Sequence, residues 1–303
     1  MRIAVIGQAA FGKSVVQSLC DAGEDIVGVY CPIDGESGQI DPIKEEALSR
    51  GIPVFQFKRM RDDAAIDSFL ELDPDLCVMA FVTDFVPDSI LQAPELGTIQ
   101  YHPSLLPLHR GPSSINWPII NGESKTGISI FWPDDGLDTG PILMQKTVLI
   151  GPDDTVGSLY YEKLYPLGVQ AMTESVALIR QGLAPKNPQD HDLASYESWC
   201  GRKDGQINWE NSGSEIYNRI RGCDPRPGAS TRLGDKEIFL FDASFVDQVH
   251  DCPGGTLIGI DDGLDVAVNG GLIRIATVRF DGIRRSAGIW AKDHGMSIGD
   301  RLR

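Results

Sequence analysis

Residues 76–82 (LCVMAFV) are seven apolar side chains in a row, the longest such run in the chain. The run is far short of the ~20 residues that span a membrane. It lacks the polar alternation of a half-solvated strand, so it reads as a strand buried on both faces, as in the middle of a parallel sheet. Residues 2–7 (RIAVIG) and 25–31 (DIVGVYC) are apolar strands of the same kind. Between them, residues 12–22 place Val15, Val16, Leu19 and Cys20 on one helical face. A turn-rich stretch with Pro32, Gly35, Gly38 and Pro42 leads to a short helix at 43–50, which Gly51 stops. A strand at 54–57, a helix at 62–71 and strands at 98–102 and 127–132 follow. Strand and helix in alternation predict an α/β fold with a mostly parallel sheet.

Asp153 and Asp154 give an acidic start to a long helix expected at 155–181, which Gly182 and Pro185 end. Residues 183–204, with Pro185, Pro188 and polar neighbours, read as a linker. A helical segment at 214–220 comes next, and then the pattern changes. Short strands at 236–241, 255–260, 264–268 and 272–278 are separated by Asp-Gly and Gly-Gly turns. That describes a small all-β module, a barrel or a sandwich. The expected organisation is one domain over about 1–200 and a second over 205–303, consistent with a prior of roughly 150 residues per domain.

The net charge of −16 is uneven. Residues 1–199 hold 28 acidic and 13 basic side chains, and residues 200–303 hold 15 and 14. An acidic surface repels phosphate backbones, so nucleic acid is not an expected partner. Arg219, Arg221, Arg226, Arg284 and Arg285 are candidates for a local basic patch, although solvated surface arginines are the expected reading. The six cysteines form no C-x-x-C pair, and Cys31 and Cys77 sit in apolar strands as small hydrophobes. Neither a disulfide framework nor a metal site is expected, and reduced cytoplasm is the expected location. No secretory h-region opens the chain, and no membrane partner is expected.

The first strand ends in a glycine loop, Gly7 to Gly12, that lacks the middle glycine of a dinucleotide fingerprint; a plain tight turn is expected there. More chemistry lies in residues 100–140. His102 closes one strand, and Asp138 lies in the loop after the next, within Gly136-Leu137-Asp138-Thr139-Gly140. If both strands run parallel, both residues emerge at the carboxyl edge of the sheet, where open α/β sheets build sites. An imidazole titrates near pH ~6.5 and can give or take a proton at neutral pH. Pro103 and Pro107 would stiffen its loop. The same residues also fit a strand cap and a turn organiser.

His-Pro-Ser-Leu-Leu-Pro at 102–107, Arg110-Gly111 and Gly-Leu-Asp-Thr-Gly at 136–140 resemble the signature of the formyltransferases that use 10-formyltetrahydrofolate. Residues 217–229 (YNRIRGCDPRPGA) are similar to the entry segment of that family's C-terminal barrel. Val-Ile-Gly-Gln at 5–8, Tyr-His-Pro-Ser at 101–104, Ser-Ile-Phe-Trp at 129–132 and Asp-Asp-Gly-Leu-Asp at 134–138 look most like the family's hydrolase branch, the N-terminal domain of 10-formyltetrahydrofolate dehydrogenases. The resemblance implies a Rossmann-like domain followed by a small OB-like β-barrel. It implies His102 as the catalytic histidine and Asp138 as the essential aspartate, with no metal. It implies that the backbone of Asp84-Phe85-Val86 holds the pterin; without it, Phe85 reads as ordinary core.

One position departs from the pattern. The transferases carry Asn two residues before the histidine, and here it is Gln100. The hydrolase branch also departs from Asn there. Gln keeps an amide but moves it one methylene outward, which bears on the contact to the oxyanion. Asp134 and Asp135 lie close to Asp138 in sequence, and their charges would tune it if they faced it. Water is the favoured acceptor, giving formate. The alternatives are an amine (an amino sugar, another metabolite or methionyl-tRNA) and a folate-binding module without catalysis. With 303 residues there is no room for a carrier or aldehyde dehydrogenase module, so the dehydrogenase reaction is not expected of this polypeptide alone.

Overall fold

Leu76–Ala80 is inaccessible along its whole length, as its composition requires, and it sits at the centre of a seven-stranded sheet. The computed structural model describes residues 1–35, 38–234 and 236–303, so the turn-rich stretch at 32–42 falls partly outside the described residues. In chain order the elements are β1 (Arg2–Gly7), α1 (Ala9–Asp21), β2 (Asp25–Cys31), α2 (Pro42–Ser49), β3 (Val54–Gln56), α3 (Asp63–Leu72), β4 (Leu76–Ala80), α4 (Asp88–Leu91), β5 (Thr98–His102), α5 (Asn116–Ile120), β6 (Lys125–Phe131) and β7 (Ile142–Leu149). Then come α6 (Val156–Ser158), α7 (Tyr165–Arg180), α8 (Gly213–Gly222), β8 (Ala229–Leu233), β9 (Lys236–Val246), β10 (Leu257–Ile260), β11 (Leu264–Val268), β12 (Gly271–Phe280), β13 (Ile283–Ser286) and α9 (Ala287–Asp293).

The chain packs as two units that are not contiguous in sequence. One comprises Met1–Gly111, Gly127–Val148 and Lys163–Tyr196; the other comprises Pro112–Thr126, Leu149–Glu162 and Glu197–Arg303. A single cut near residue 200 therefore does not describe the packing. The expected continuous helix at 155–181 is broken where the chain passes from one unit to the other. Leu159–Leu164 is π-helical and α7 restarts at Tyr165. Pro166 explains the restart: its missing N–H is tolerated only in a first helical turn.

In the first unit the strand order is β3-β2-β1-β4-β5-β6-β7. The pairs β1–β2, β1–β4, β2–β3 and β4–β5 are parallel. Gly7 permits the close approach of β1 to β4, since a Cβ there would stand 2.5 Å from the Ala80 carbonyl oxygen. Tyr30, Phe69, Met79 and Ile90 build a core on one face of this sheet. The expected turn over Gly7–Gly12 is only Gln8, since α1 already begins at Ala9, and the Ala9 amide donates to the Asp41 carboxylate at 2.8 Å, so an internal anion already takes that donor.

In the second unit β10-β11-β12-β9-β8 form an antiparallel sheet, with β13 added to β12. Residues 299–303 close it into a barrel. Leu257 and Gly299 exchange hydrogen bonds with this tail along β10, the Leu257 amide donating to Asp300 and the Gly299 amide to Leu257; Arg303 pairs with Arg232 on β8. Leu302 is buried between these contacts, and Trp209 reaches Arg303 through Thr231. Of the five candidate arginines, Arg226, Arg284 and Arg285 are exposed, as solvated surface arginines would be, and Arg219 is half-buried. Arg221 is buried, donating to the carbonyls of Gly151 and Asp154, and Arg284 lies over the Phe241 ring.

Leu302→Ala removes a core side chain and loosens the closing tail. It should cost about 2–5 kcal/mol, read by urea denaturation followed through tryptophan fluorescence. An unchanged midpoint would mean that the tail does not close the barrel energetically.

Candidate active site

β5 carries Gln100 and His102 on the same side, two residues apart, because side chains alternate along a strand. β6 runs antiparallel to β5, with His102 opposite Ser129 and Gln100 opposite Phe131. The condition that both strands run parallel is thus not met, and β6 ends away from His102. Asp138 reaches the histidine because the loop between β6 and β7 doubles back. Its ends are tied by the Trp132 amide donating to Pro141 O at 2.9 Å. Gly140 lets the loop fold over its own start, since a Cβ there would lie 1.8 Å from Trp132 O. Asp138 itself sits at φ 56°, a left-handed conformation that Asp tolerates better than most residues.

The His102 and Asp138 side chains are both buried, with Nδ1 3.7 Å from Oδ2. That gap is too long for a direct hydrogen bond. The other imidazole nitrogen, Nε2, lies 2.9 Å from the backbone carbonyl of His109. A carbonyl only accepts, so Nε2 carries a proton and donates it. Nδ1 then faces the carboxylate and is the nitrogen free to exchange a proton. Oδ2 of Asp138 also accepts the Gly111 amide at 2.9 Å. This arrangement can orient a small nucleophile, accept its proton and return a proton to a leaving group.

The loop between His102 and Gly111 is held from several sides. Ser104 Oγ donates to Leu108 O, and Ser129 Oγ donates to Ser104 O while accepting from the Leu106 amide. Gln145 donates to Leu106 O and to Ser129 Oγ. Ser195 Oγ accepts the His109 amide at 2.8 Å and fixes the carbonyl that orients His102. Arg110, buried, donates to Gln189, whose amide in turn donates to Asp138 O and Gly140 O. Residues 183–204 are therefore no simple linker: Asn187, Gln189 and Ser195 are bonded to the site loops.

Gln100 lines the same strand face as His102, is half-buried, and makes no side-chain hydrogen bond among the described residues. Asp84 lies just past β4, its carboxylate accepting the amides of Met60 at 2.7 Å and Phe85 at 2.8 Å. Val86 is buried, whereas Phe85 is 61% exposed and so is not the core residue that composition alone suggests. Asp134 and Asp135 do not join the pair. Both are exposed, and Asp134 accepts from Gly136 N and Thr139 Oγ1 within its own turn. Ser129, Ser195 and Gln189 were not read as site residues. Ser129 had a signal, a lone hydroxyl inside the apolar run of β6; Gln189 had none. Among the described residues no group of three His, Cys, Asp or Glu side chains could hold a metal ion, and no helix is long and apolar enough to cross a membrane.

The Formyl transferase family profile matches residues 1–176, and that of the Formyl transferase C-terminal domain matches residues 201–292. The chain belongs to the formyltransferase family. Over 249 residues it is 43% identical to human (Homo sapiens) cytosolic 10-formyltetrahydrofolate dehydrogenase, covering 80% of this chain and 28% of that protein. The chain thus spans little more than a quarter of the length of such relatives. It is 35% identical to a methionyl-tRNA formyltransferase of Syntrophus aciditrophicus, over 99% of this chain and 98% of the relative. HypX from Aquifex aeolicus, solved with tetrahydrofolic acid, shares the fold at a TM-score of 0.70 and 17% identity, over 97% of this chain and 48% of that one.

Ser129→Ala leaves the Leu106 amide and the Ser104 carbonyl without their buried partner. It should lower stability by about 1–3 kcal/mol, measured by chemical denaturation. No loss would show that the loop is held by its other contacts alone.

Proposed function

We propose that this protein removes the formyl group from 10-formyltetrahydrofolate and releases tetrahydrofolate, with water as acceptor and formate as the second product. The buried His102–Asp138 pair, with one imidazole nitrogen fixed and the other turned to the carboxylate, carries this reading. The formyl carbon on N10 is amide-like. Water attacks it, a tetrahedral oxyanion forms, and the C–N10 bond breaks as N10 gains a proton. Asp138 takes the proton from water. His102, when protonated, donates from Nδ1 to the oxyanion or to N10, because its Nε2 proton is committed to His109.

The pterin is assigned to the Asp84-Phe85-Val86 loop, at the carboxyl end of β4. The Phe85 amide already donates to Asp84, so the loop offers carbonyl acceptors and an exposed ring. Both suit a flat heterocycle whose ring edge is rich in N–H donors. Gln100 is assigned beside the reacting carbon, as an amide that water chemistry does not strictly require.

Water is favoured by the motifs shared with the hydrolase branch. The excess of acidic over basic side chains in residues 1–199 opposes a tRNA acceptor. Transfer to an amine is the second reading, supported by the end-to-end similarity to a methionyl-tRNA formyltransferase. The two are separated by measuring tetrahydrofolate and formate together, with and without methionyl-tRNA and amino sugars. Equal release of both products without amine is expected; tetrahydrofolate appearing only with an amine would overturn the hydrolase reading.

Asp138→Asn should reduce turnover by about 10²–10⁴-fold while folate affinity stays within about threefold, because charge and proton acceptance are what is lost. Turnover close to the unmodified protein would leave Asp138 only a turn former. Gln100→Ala should cost less than about tenfold. A loss of ~10²–10³ at unchanged melting would mark Gln100 as an essential oxyanion donor and favour an amine acceptor.

A further inference from the structure

Gln189 lies between the stretches matched by the two family profiles, and its side chain is 6% exposed. Every polar atom it has is engaged. Nε2 donates to Asp138 O at 2.9 Å and to Gly140 O at 2.7 Å. Oε1 accepts from Arg110 Nη2 at 2.7 Å and from Arg110 Nε at 3.2 Å. Arg110 follows directly on His109, whose carbonyl holds His102. One amide therefore joins the loop that orients the histidine to the loop that presents the aspartate. His191 Nδ1 accepts from the same guanidinium at 3.0 Å, and Asn187 pairs with Ile142 at the far end of the Asp138 loop.

We propose that Gln189 is a positioning residue for the reaction, setting the distance between His102 and Asp138 through its bonds to Arg110 and to the Asp138 loop. The assignment rests on the His102–Asp138 reading above. Asp138 is held in a left-handed backbone conformation, and two contacts hold it there: Gly111 on the carboxylate and Gln189 on the carbonyl. Without the amide, two buried carbonyls and two guanidinium N–H groups lose their partner. The loop then relaxes, and Oδ2 leaves its place opposite Nδ1. Asn or Asp at 189 would be too short to bridge both loops, and a hydroxyl would donate only once, whereas the amide donates to both carbonyls and accepts from Arg110.

The test uses Gln189→Met, which keeps length and volume, and Gln189→Glu, which keeps the acceptor for Arg110 but loses the donors. Both should lower kcat for tetrahydrofolate release by at least about tenfold, with KM within about threefold, the pattern of an interaction needed in the transition state. Combining Gln189→Met with Asp138→Asn should lower kcat no further than Asp138→Asn alone, because Gln189 acts through Asp138. The His102 Nδ1 resonance, read by ¹⁵N NMR on each full-length protein, should shift in Gln189→Met in the direction seen for Asp138→Asn. An unmoved resonance, or kcat losses that multiply in the double variant, would overturn the proposal. If the unmodified protein leaves 10-formyltetrahydrofolate intact with every acceptor, the functional reading fails, and the resonance still decides whether Gln189 sets the pair. If Gln189→Met does not fold, the same readouts on Gln189→Glu decide.

Discussion

The hydrogen bond from His102 Nε2 to the carbonyl of His109 determines which proton the imidazole can move. A free imidazole exchanges tautomers readily. Here one nitrogen is committed to a backbone acceptor, so the other faces Asp138 as the exchanging site. The acceptor is useful only if it stays in place, and much of the surrounding structure serves that purpose. His109 sits in the left-handed region at φ 55°, and Ser195 holds its amide. Ser129 and Gln145 fasten the preceding turn to β6 and β7. Each bond contributes only about 0.5–1.5 kcal/mol net, but the groups are buried, so leaving one unmade is more costly than making it is favourable.

The antiparallel β6 gives this arrangement its geometry. A parallel strand would have sent its following loop straight out at the carboxyl edge. An antiparallel one needs a loop that returns, and the glycines of residues 136–140 allow the return. The aspartate then arrives beside the histidine from the side opposite the β4 loop that carries Phe85.

Much of this was legible in the sequence. The bounds of β1, β2 and β5 follow directly from runs of apolar residues, because burial on two faces leaves no ambiguity. His102 and Asp138 were singled out by the motifs of the resemblance; pairing them by strand ends needed a parallel β6, and β6 is antiparallel. Other features were hidden for physical reasons. Strand direction is not encoded in an apolar pattern, so the condition that β6 run parallel to β5 could not be settled from the sequence. Polar, proline-containing residues look alike whether they are solvated or bonded to buried backbone, and this concealed Gln189 and Ser195. Arg221 reads as a surface charge, yet carbonyl acceptors brought together by the fold make its burial tolerable. Pro166 marks the break before α7, inside a stretch that reads as helical on either side.

The central claim is that His102 is held as the Nε2–H tautomer with Nδ1 open toward Asp138. Long-range ¹H–¹⁵N correlation spectroscopy of the imidazole, at a pH where it is neutral, reads this directly. Nε2 should show the shift of a protonated nitrogen and Nδ1 that of an unprotonated one. A proton on Nδ1 with Nε2 bare, or averaged shifts from tautomers in rapid exchange, would contradict it.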